Sequence, residues 1–282
     1  MGLSVMALFS IALSACGGNT YGIVQAGKLT IASDTTYPPA ESIDSTKSGA
    51  DSFVGYDMDL GRELAKRLHL TFNPQTAKFD NIIGDISGPQ LGSQRYDMSI
   101  SSFTINSDRL KKVHMIPYLR AGESILVPTG NPSGIKSISD MCGKTVSVQK
   151  GTVELGELKD ANGVGDKSSG QAPVCASKQI NILSFDSEED VIAQALNGRA
   201  VAAYQDQPVT SYYVKLNPGK AEVGGITVAP SPEGIVIRKD NSAFETAIKN
   251  ALSAMMSDGT YTTILQNWGV NDLACHSADC SS

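Results

Sequence analysis

The segment SEEDVIAQALNGRAVAAYQDQP (residues 187–208) contains the signals for a helix, a strand and a second helix in close succession. Ser187 is a suitable N-cap, acidic residues occupy the first turn, and apolar residues recur at helical spacing until Gly198. The apolar run AVAAYQ (200–205) has the length of a buried strand, and Asp206 follows it directly. This order predicts an α/β unit with a polar residue at the carboxyl end of a strand.

The same alternation of strand and helix patterns recurs along the chain, and it predicts the α/β class with mainly parallel sheets. In such sheets ligands bind at the carboxyl ends of the strands. Polar residues that directly follow a strand are therefore the candidates for a binding site. The predicted elements are strands at 28–33, 95–103, 122–128 and 144–150 and helices at 57–70 and 243–259. The polar stretches after strands are SDTTYPP (33–39), SSFTINSDR (101–109), QKGTV (149–153) and YQDQP (204–208).

The chain has 282 residues, a net charge of −6 and no long basic run. This length allows one large domain or two smaller ones. Because phosphate binding needs clustered Lys and Arg, the composition argues against a nucleic-acid partner.

The N-terminal run LSVMALFSIAL (3–13) is too short for an ordinary transmembrane helix, but it has the length of a signal-peptide core. It leads into LSAC, which resembles a bacterial lipobox, and we expect Cys16 to be lipidated at the end of a signal segment 1–16. Residues 17–27 are polar and Gly-rich and are predicted to be a tether. The basic region that usually precedes such a core is missing, since the first Lys is Lys28. A plain secretory signal with an incidental cysteine is the alternative.

Four further cysteines are an even number, which in an exported chain suggests disulfides. Three pairings are possible, and we favour Cys142–Cys175 and Cys275–Cys280, the pairs nearest in sequence. A Cys-His pattern at residues 275–280 supplies three metal ligands at best, so a disulfide in a frayed tail is expected there, without a metal site.

The four polar stretches, in this order, resemble the extracytoplasmic solute-binding proteins of polar amino-acid ABC transporters (family 3), the group of the glutamine- and histidine-binding proteins. The resemblance extends from about Lys28 to Val270. It also includes VGYDMDLGRELAKRL (54–68), GKTVSVQKGT (143–152) and MMSDGTYTTILQNWG (255–269).

The resemblance implies a two-lobed periplasmic-binding-protein-like fold of type II, with two crossover hinge strands and a ligand cleft that closes on binding. Lobe 1 would comprise residues 28–122 and 236–273, and lobe 2 residues 123–235. The crossovers would lie near residues 122–125 and 232–235, and residues 274–282 would form a C-terminal tail.

The resemblance also implies two charged contacts with the ligand. Arg109, with Ser102 and Thr104 beside it, would bind the ligand's α-carboxylate, which suits a guanidinium that donates two parallel hydrogen bonds. Asp206 would accept the α-ammonium, although it could equally cap the following helix. Thr152 and Val153, at a helix start, would bind the carboxylate mainly through backbone N–H groups.

The remaining implied contacts concern the ligand's side chain. Tyr37 and Phe79 would form the walls of the cleft, although Phe79 could instead pack in the core. Asp34 and Gln149 would contact the side chain, which suggests a polar or cationic ligand such as glutamine, arginine, lysine or histidine. Asp34 could also stabilise a local turn. Ala40 stands where the family often has Phe.

The implied function is a lipid-anchored binding protein, on the outer face of the cell membrane or periplasmic, that delivers a free amino acid to the permease and ATPase of an ABC importer. We expect a monomer without a cofactor and no enzymatic activity. Two alternatives are a cyclohexadienyl (arogenate or prephenate) dehydratase on the same fold and a ligand-sensing subunit of a signalling system. A dehydratase needs a positioned acid or base, for which Glu41 near Tyr37 is a candidate.

Overall fold

The computed structural model describes residues 21–89, 94–226, 230–277 and 279–280. The predicted signal segment with its Cys16, and residues 17–20 of the predicted tether, lie outside these ranges. Within the described ranges, no helix combines the length and apolar character that crossing a bilayer requires.

Strands and helices alternate through the described chain, so the predicted α/β class is confirmed. The strands are β1 (Lys28–Ser33), β2 (Thr36–Tyr37), β3 (Glu41–Ile43), β4 (Phe53–Val54), β5 (Thr71–Thr76), β6 (Met98–Ser99), β7 (Val113–Ala121), β8 (Glu123–Pro128), β9 (Thr145–Gln149), β10 (Asn181–Phe185), β11 (Ala202–Asp206), β12 (Ala221–Ile226) and β13 (Ser231–Arg238). The helices are α1 (Tyr56–Arg67), α2 (Phe79–Ser87), α3 (Ser107–Lys112), α4 (Val153–Ala161), α5 (Glu188–Leu196), α6 (Gln207–Leu216), α7 (Ser242–Ser257) and α8 (Thr260–Asn267).

Two five-stranded sheets form the centres of the two halves, in the orders β5-β1-β6-β13-β7 and β10-β9-β11-β8-β12. In the first sheet β1 pairs in parallel with β5 and β6, and in the second β9 pairs in parallel with β10 and β11. The other pairs in both sheets are antiparallel. The expectation of mainly parallel sheets is therefore wrong, because strands that enter or leave a sheet at the crossovers run against their neighbours.

The chain passes between the sheets at two adjacent places. Strand β7 ends in the first sheet at Ala121, and β8 begins in the second sheet at Glu123. On the return path β13 pairs with β7 from Ser231 onwards. Residues 231–235, which the sequence prediction places in lobe 2, thus lie in the first sheet; the division into two lobes as folding domains stays a prediction.

The helices cover the sheets through the apolar spacing seen in the sequence. Helix α1 buries Leu60 and Leu64 in the same cluster as Leu29 and Ile31 of β1. The predicted helix at 243–259 is confirmed as α7, which ends before Gly259, whose φ of 82° suits glycine. By contrast, the strand predicted at 95–103 shrinks to β6, because the backbone turns at Ser102 with a φ of +46°.

Both ends of the described chain pack onto the first half. Ile23 is buried in the core, and the amide of Asn241 donates to the backbone carbonyl of Tyr21, so residues 21–27 are not a loose tether. Both predicted disulfides, Cys142–Cys175 and Cys275–Cys280, are formed. The expectation of a frayed tail is wrong, because Cys275 and Cys280 are buried. The described residues contain no cluster that could hold a metal ion.

Gly55 precedes α1 with a φ of 131°, and a Cβ built there would lie 1.9 Å from the carbonyl oxygen of Ala40. We expect Gly55→Ala to destabilise the protein by about 2–4 kcal/mol, through this clash and backbone strain. Gly84, inside α2, has open space around such a Cβ. Gly84→Ala is the control and should be neutral or stabilising by up to about 1 kcal/mol. Urea unfolding measures both, and equal effects would contradict the prediction.

Candidate functional site

A small cavity between the two halves brings together the predicted ligand-binding residues except Asp34. Its lining comprises Tyr37, Phe79, Ser102, Thr104, Arg109, Gln149, Thr152, Val153, Glu154 and Asp206. Asp34 lies directly behind it, because the amide of Gln149 donates to its carboxylate at 2.5 Å. The convergence follows from the fold, since these residues follow or end strands of the two sheets at the edges that face each other.

Arg109 is the cation of this cavity, and it is only 8% exposed. Its Nη1 donates to the carbonyl of Thr104 at 2.6 Å and its Nη2 to the carbonyl of Gly151 at 3.1 Å. Burial lowers the pKa of Arg109 to about 10, which leaves the side chain charged at neutral pH. Since Gly151 belongs to the second half, the guanidinium already contacts both halves.

Two stacked aromatic rings support the guanidinium. Phe79 and Phe103 stack with ring centroids 4.2 Å apart, and the guanidinium carbon of Arg109 lies 5.5 and 4.9 Å from the two centroids. Such cation–π contacts stabilise a desolvated guanidinium. Phe79 thus lines the cavity and also packs against Phe103, so the two sequence interpretations of this residue are compatible.

A buried carboxyl network holds the turn that presents Ser102. The backbone N–H of Ser102 donates to the carboxylate of Asp57 at 3.0 Å, and the hydroxyl of Tyr118 donates to the same oxygen at 2.8 Å. Glu41 accepts from the hydroxyl of Ser101 at 2.6 Å and is not part of the cavity lining. The candidate acid Glu41 therefore belongs to the support of the site and does not face the cavity.

Asp206 faces the cavity from the end of β11. The hydroxyl of Tyr37 donates to its carboxylate at 2.8 Å, and its backbone N–H donates to the oxygen of Tyr37 at 3.1 Å. Although Asp206 occupies the N-cap of α6, its side chain makes no capping hydrogen bond. Burial raises the pKa of Asp206 to about 7, while the Tyr37 hydroxyl and Arg109 act in the opposite direction. The carboxylate is therefore available to a ligand.

The start of α4 forms a third side of the cavity. The hydroxyl of Thr152 accepts from the N–H of Leu155 at 3.3 Å and donates to the carbonyl of Gln149 at 2.9 Å. Because this hydroxyl is engaged in capping, contact with a ligand through Thr152 would use the backbone, as the sequence predicts for Thr152 and Val153.

Asp34 has two roles. One carboxylate oxygen accepts from the N–H and the hydroxyl of Thr36 at 3.1 and 2.8 Å, so the local turn foreseen as an alternative is present. The other oxygen accepts from Gln149 across the gap. Burial raises the pKa of Asp34, and the hydrogen bonds from Thr36 and Gln149 oppose this effect.

Glu154 also lines the cavity, although neither the residue pattern nor the family resemblance predicted it as a site residue. It lies in the first turn of α4, is 2% exposed, and its Oε1 has no hydrogen-bond partner among the described residues. In the sequence it is an acid near a helix N-terminus, which the helix dipole alone explains. The sequence feature that pointed to a site position was its place three residues after Gly151 in QKGTVE (149–154).

Direct contacts join the two halves around the cavity, so this is a closed arrangement of the cleft. They are the hydrogen bonds Tyr37–Asp206, Gln149–Asp34, Arg109–Gly151 and Glu188–Thr36 and the ion pair Lys78–Asp186.

Comparison with known proteins identifies relatives over nearly the whole chain. The family model for bacterial extracellular solute-binding proteins, family 3, matches residues 29–271. The ABC transporter arginine-binding protein 1 of Escherichia coli (strain K12) is 30% identical over 258 residues, which cover 88% of this chain and 93% of that protein. An ancestral arginine-binding protein bound to arginine has a TM-score of 0.75 at 32% identity, covering 86% of this chain and 98% of its own. An ancestral amino acid-binding protein, a precursor of cyclohexadienyl dehydratase, has a TM-score of 0.70 at 29% identity, covering 86% of this chain and 95% of its own.

The hydrogen bond between Tyr37 and Asp206 gives a direct prediction about proton binding. In Tyr37→Phe the hydroxyl that stabilises the carboxylate is lost, so we expect the pKa of Asp206 to rise above its value of about 7. An NMR titration of 13C-labelled aspartate carboxyls measures this. Tyr212→Phe, which changes a tyrosine outside the cavity lining, is the control and should leave that pKa unchanged. A lower or unaltered pKa in Tyr37→Phe would argue against the hydrogen bond.

Proposed function

Because this chain belongs to the bacterial extracellular solute-binding proteins of family 3, we propose that it captures a free L-amino acid outside the cell membrane and delivers it to an ABC importer. A lipid anchor at Cys16 would hold the monomer near the permease and ATPase complex. The relatives named as arginine- and histidine-binding proteins support a cationic amino acid, with arginine as the first ligand to test.

The observation that carries this proposal is the placement of opposite charges in one cavity. Arg109 enters from the first half and Asp206 from the second. A zwitterion has a carboxylate for the guanidinium and an ammonium for the carboxylate, so one molecule bridges both halves. Ligand binding then stabilises the closed arrangement by the difference in its affinity for the two states.

The side-chain end of the cavity favours a second positive charge on the ligand. Asp34 lies there behind Gln149, and Glu188 of the second half is fully buried nearby, with its backbone N–H donating to Thr36 at 3.0 Å. A cationic side chain would compensate for carboxylates whose ionisation burial disfavours. Glutamine would make hydrogen bonds there without supplying that charge.

A thermal-shift screen of the twenty amino acids tests the proposal. A ligand at about 100 times its Kd should stabilise the protein by about 2.7 kcal/mol. Stabilisation by arginine, lysine or histidine supports the proposal, whereas no response to any amino acid would refute it.

The second candidate is a dehydratase, which the similarity to a precursor of cyclohexadienyl dehydratase favours. Glu41 is excluded from the cavity lining, so an acid would have to come from Glu154 or Asp206. Incubation with prephenate and arogenate, followed by absorbance of the aromatic product, decides between catalysis and binding.

The charged contact of Arg109 leads to a prediction about affinity. Arg109→Ala should weaken arginine binding by about 2–5 kcal/mol, or about 30- to 5000-fold, because the ligand's buried carboxylate loses its cationic partner. Arg109→Lys should also lose affinity, since Lys cannot donate two parallel hydrogen bonds. Arg95→Ala, which breaks an exposed ion pair with Asp85, is the control. Calorimetry measures all three, and near-wild-type binding by Arg109→Ala would exclude the assignment.

The raised pKa of Asp206 leads to a prediction about pH. The empty site holds a proton on Asp206 below about pH 7, whereas contact with an ammonium requires the ionised form. Affinity should therefore rise from about pH 5 to pH 7, by at most about tenfold per pH unit, and then level off. Asp206→Asn should bind weakly and without this dependence. Calorimetry across this range would contradict the prediction if wild-type affinity fell as the pH increased.

A further inference from the structure

Glu154 is a buried acid in the cavity that neither the sequence resemblance nor the contacts described so far employ. Its side chain lines the cavity beside Thr152 and Val153, whose backbone N–H groups stand at the positive end of the α4 dipole. Its Oε1 has no hydrogen-bond partner among the residues that the structure describes. A buried polar atom without a partner at a candidate binding site calls for a partner on the ligand.

The groups around Glu154 come from several elements. Asp206 of β11 and Glu123 of β8 are close enough to act on its charge, and so is Glu157, which lies on the same helix, α4. On the opposite side Arg109 is the cation, and Glu154 is the carboxyl that acts most strongly on the pKa of Arg109. Three acids and one cation therefore surround this carboxyl, in addition to Tyr37 at the cavity wall.

The charge balance of a bound zwitterion favours the uncharged form of this acid. The ligand's ammonium balances Asp206, and the ligand's carboxylate balances Arg109. An ionised Glu154 would be an additional negative charge beside the ligand's carboxylate, without a cation of its own. A protonated Glu154 instead has an O–H donor in the same position.

We propose that Glu154 contacts the ligand as a neutral acid and donates its O–H to the ligand's α-carboxylate. This is a third contact with that carboxylate, in addition to Arg109 and the backbone N–H groups at the start of α4. This inference rests on the proposed function. Burial, together with Asp206 and Glu123, raises the pKa of Glu154 well above its usual range, in agreement with the neutral form. The contact makes Glu154 a specificity-determining residue for ligands with a free carboxylate.

Two substitutions separate this role from its alternatives. Glu154→Gln replaces the O–H donor by an N–H donor of similar shape, and we expect it to bind L-arginine within about threefold of the wild type at pH 7. Glu154→Ala removes the donor and should weaken binding by about tenfold or more. Asp160→Asn is the matched control, since it neutralises a buried acid of the same helix that neither lines this cavity nor belongs to the groups around Glu154, and it should bind as the wild type does.

Isothermal titration calorimetry with L-arginine at pH 5, 6, 7 and 8 supplies the data. Both Glu154→Gln and the wild type should show the same rise in affinity with pH, because Asp206 sets it. A loss of about tenfold or more in Glu154→Gln, or a flattened pH profile, would mean that the ionised acid binds the ligand and would overturn the inference. Unchanged binding by Glu154→Ala would overturn it as well. Failure of the wild type to bind any amino acid would instead refute the proposed function.

Discussion

The guanidinium of Arg109 is a buried charge, and several groups of the site stabilise it. Two backbone carbonyls accept its N–H groups, and two stacked phenylalanine rings support its face. One of those carbonyls belongs to Gly151 of the second half, where a Cβ would lie 2.7 Å from Asp80. Closure of the cleft therefore requires glycine at 151, because the guanidinium, α2 and the start of α4 meet at this point.

Around this one cation the interior is rich in acids. Burial raises the pKa of Glu41, Asp57, Glu154 and Glu233, because it disfavours the ionised form of each acid. Hydroxyl and backbone N–H groups, and not cations, are the hydrogen-bond partners of some of these acids. Asp57, for example, accepts from the hydroxyl of Tyr118 and from the backbone N–H of Ser102. These hydrogen bonds fix the positions of the acids beside the cavity.

The crossover region is tied to the C-terminal part of the described chain. Arg120 of β7 donates to the carbonyl of Pro230, just before β13, and to the carbonyl of Cys280 in the tail. The hydroxyl of Tyr261 in α8 donates to the carbonyl of Tyr118, also in β7. The tail and α8 thus hold the strand that leads into the second half.

Local signals in the chain indicated the α/β class and the helices α5 and α7, because apolar periodicity and caps act over a few residues. The favoured disulfide pairs came from nearness in sequence, and the residues expected at the cavity came from the family resemblance. The local signals did not indicate the antiparallel pairing of β7, β8 and β13, the packing of residues 21–27, the burial of Cys275 and Cys280 or the cavity position of Glu154. These depend on which segments, distant in the chain, come into contact. The sequence around an acid in a first helical turn does not reveal whether that acid faces solvent or a cavity. The packing of the two halves buries Glu154 and brings Arg109 and Asp206 near it.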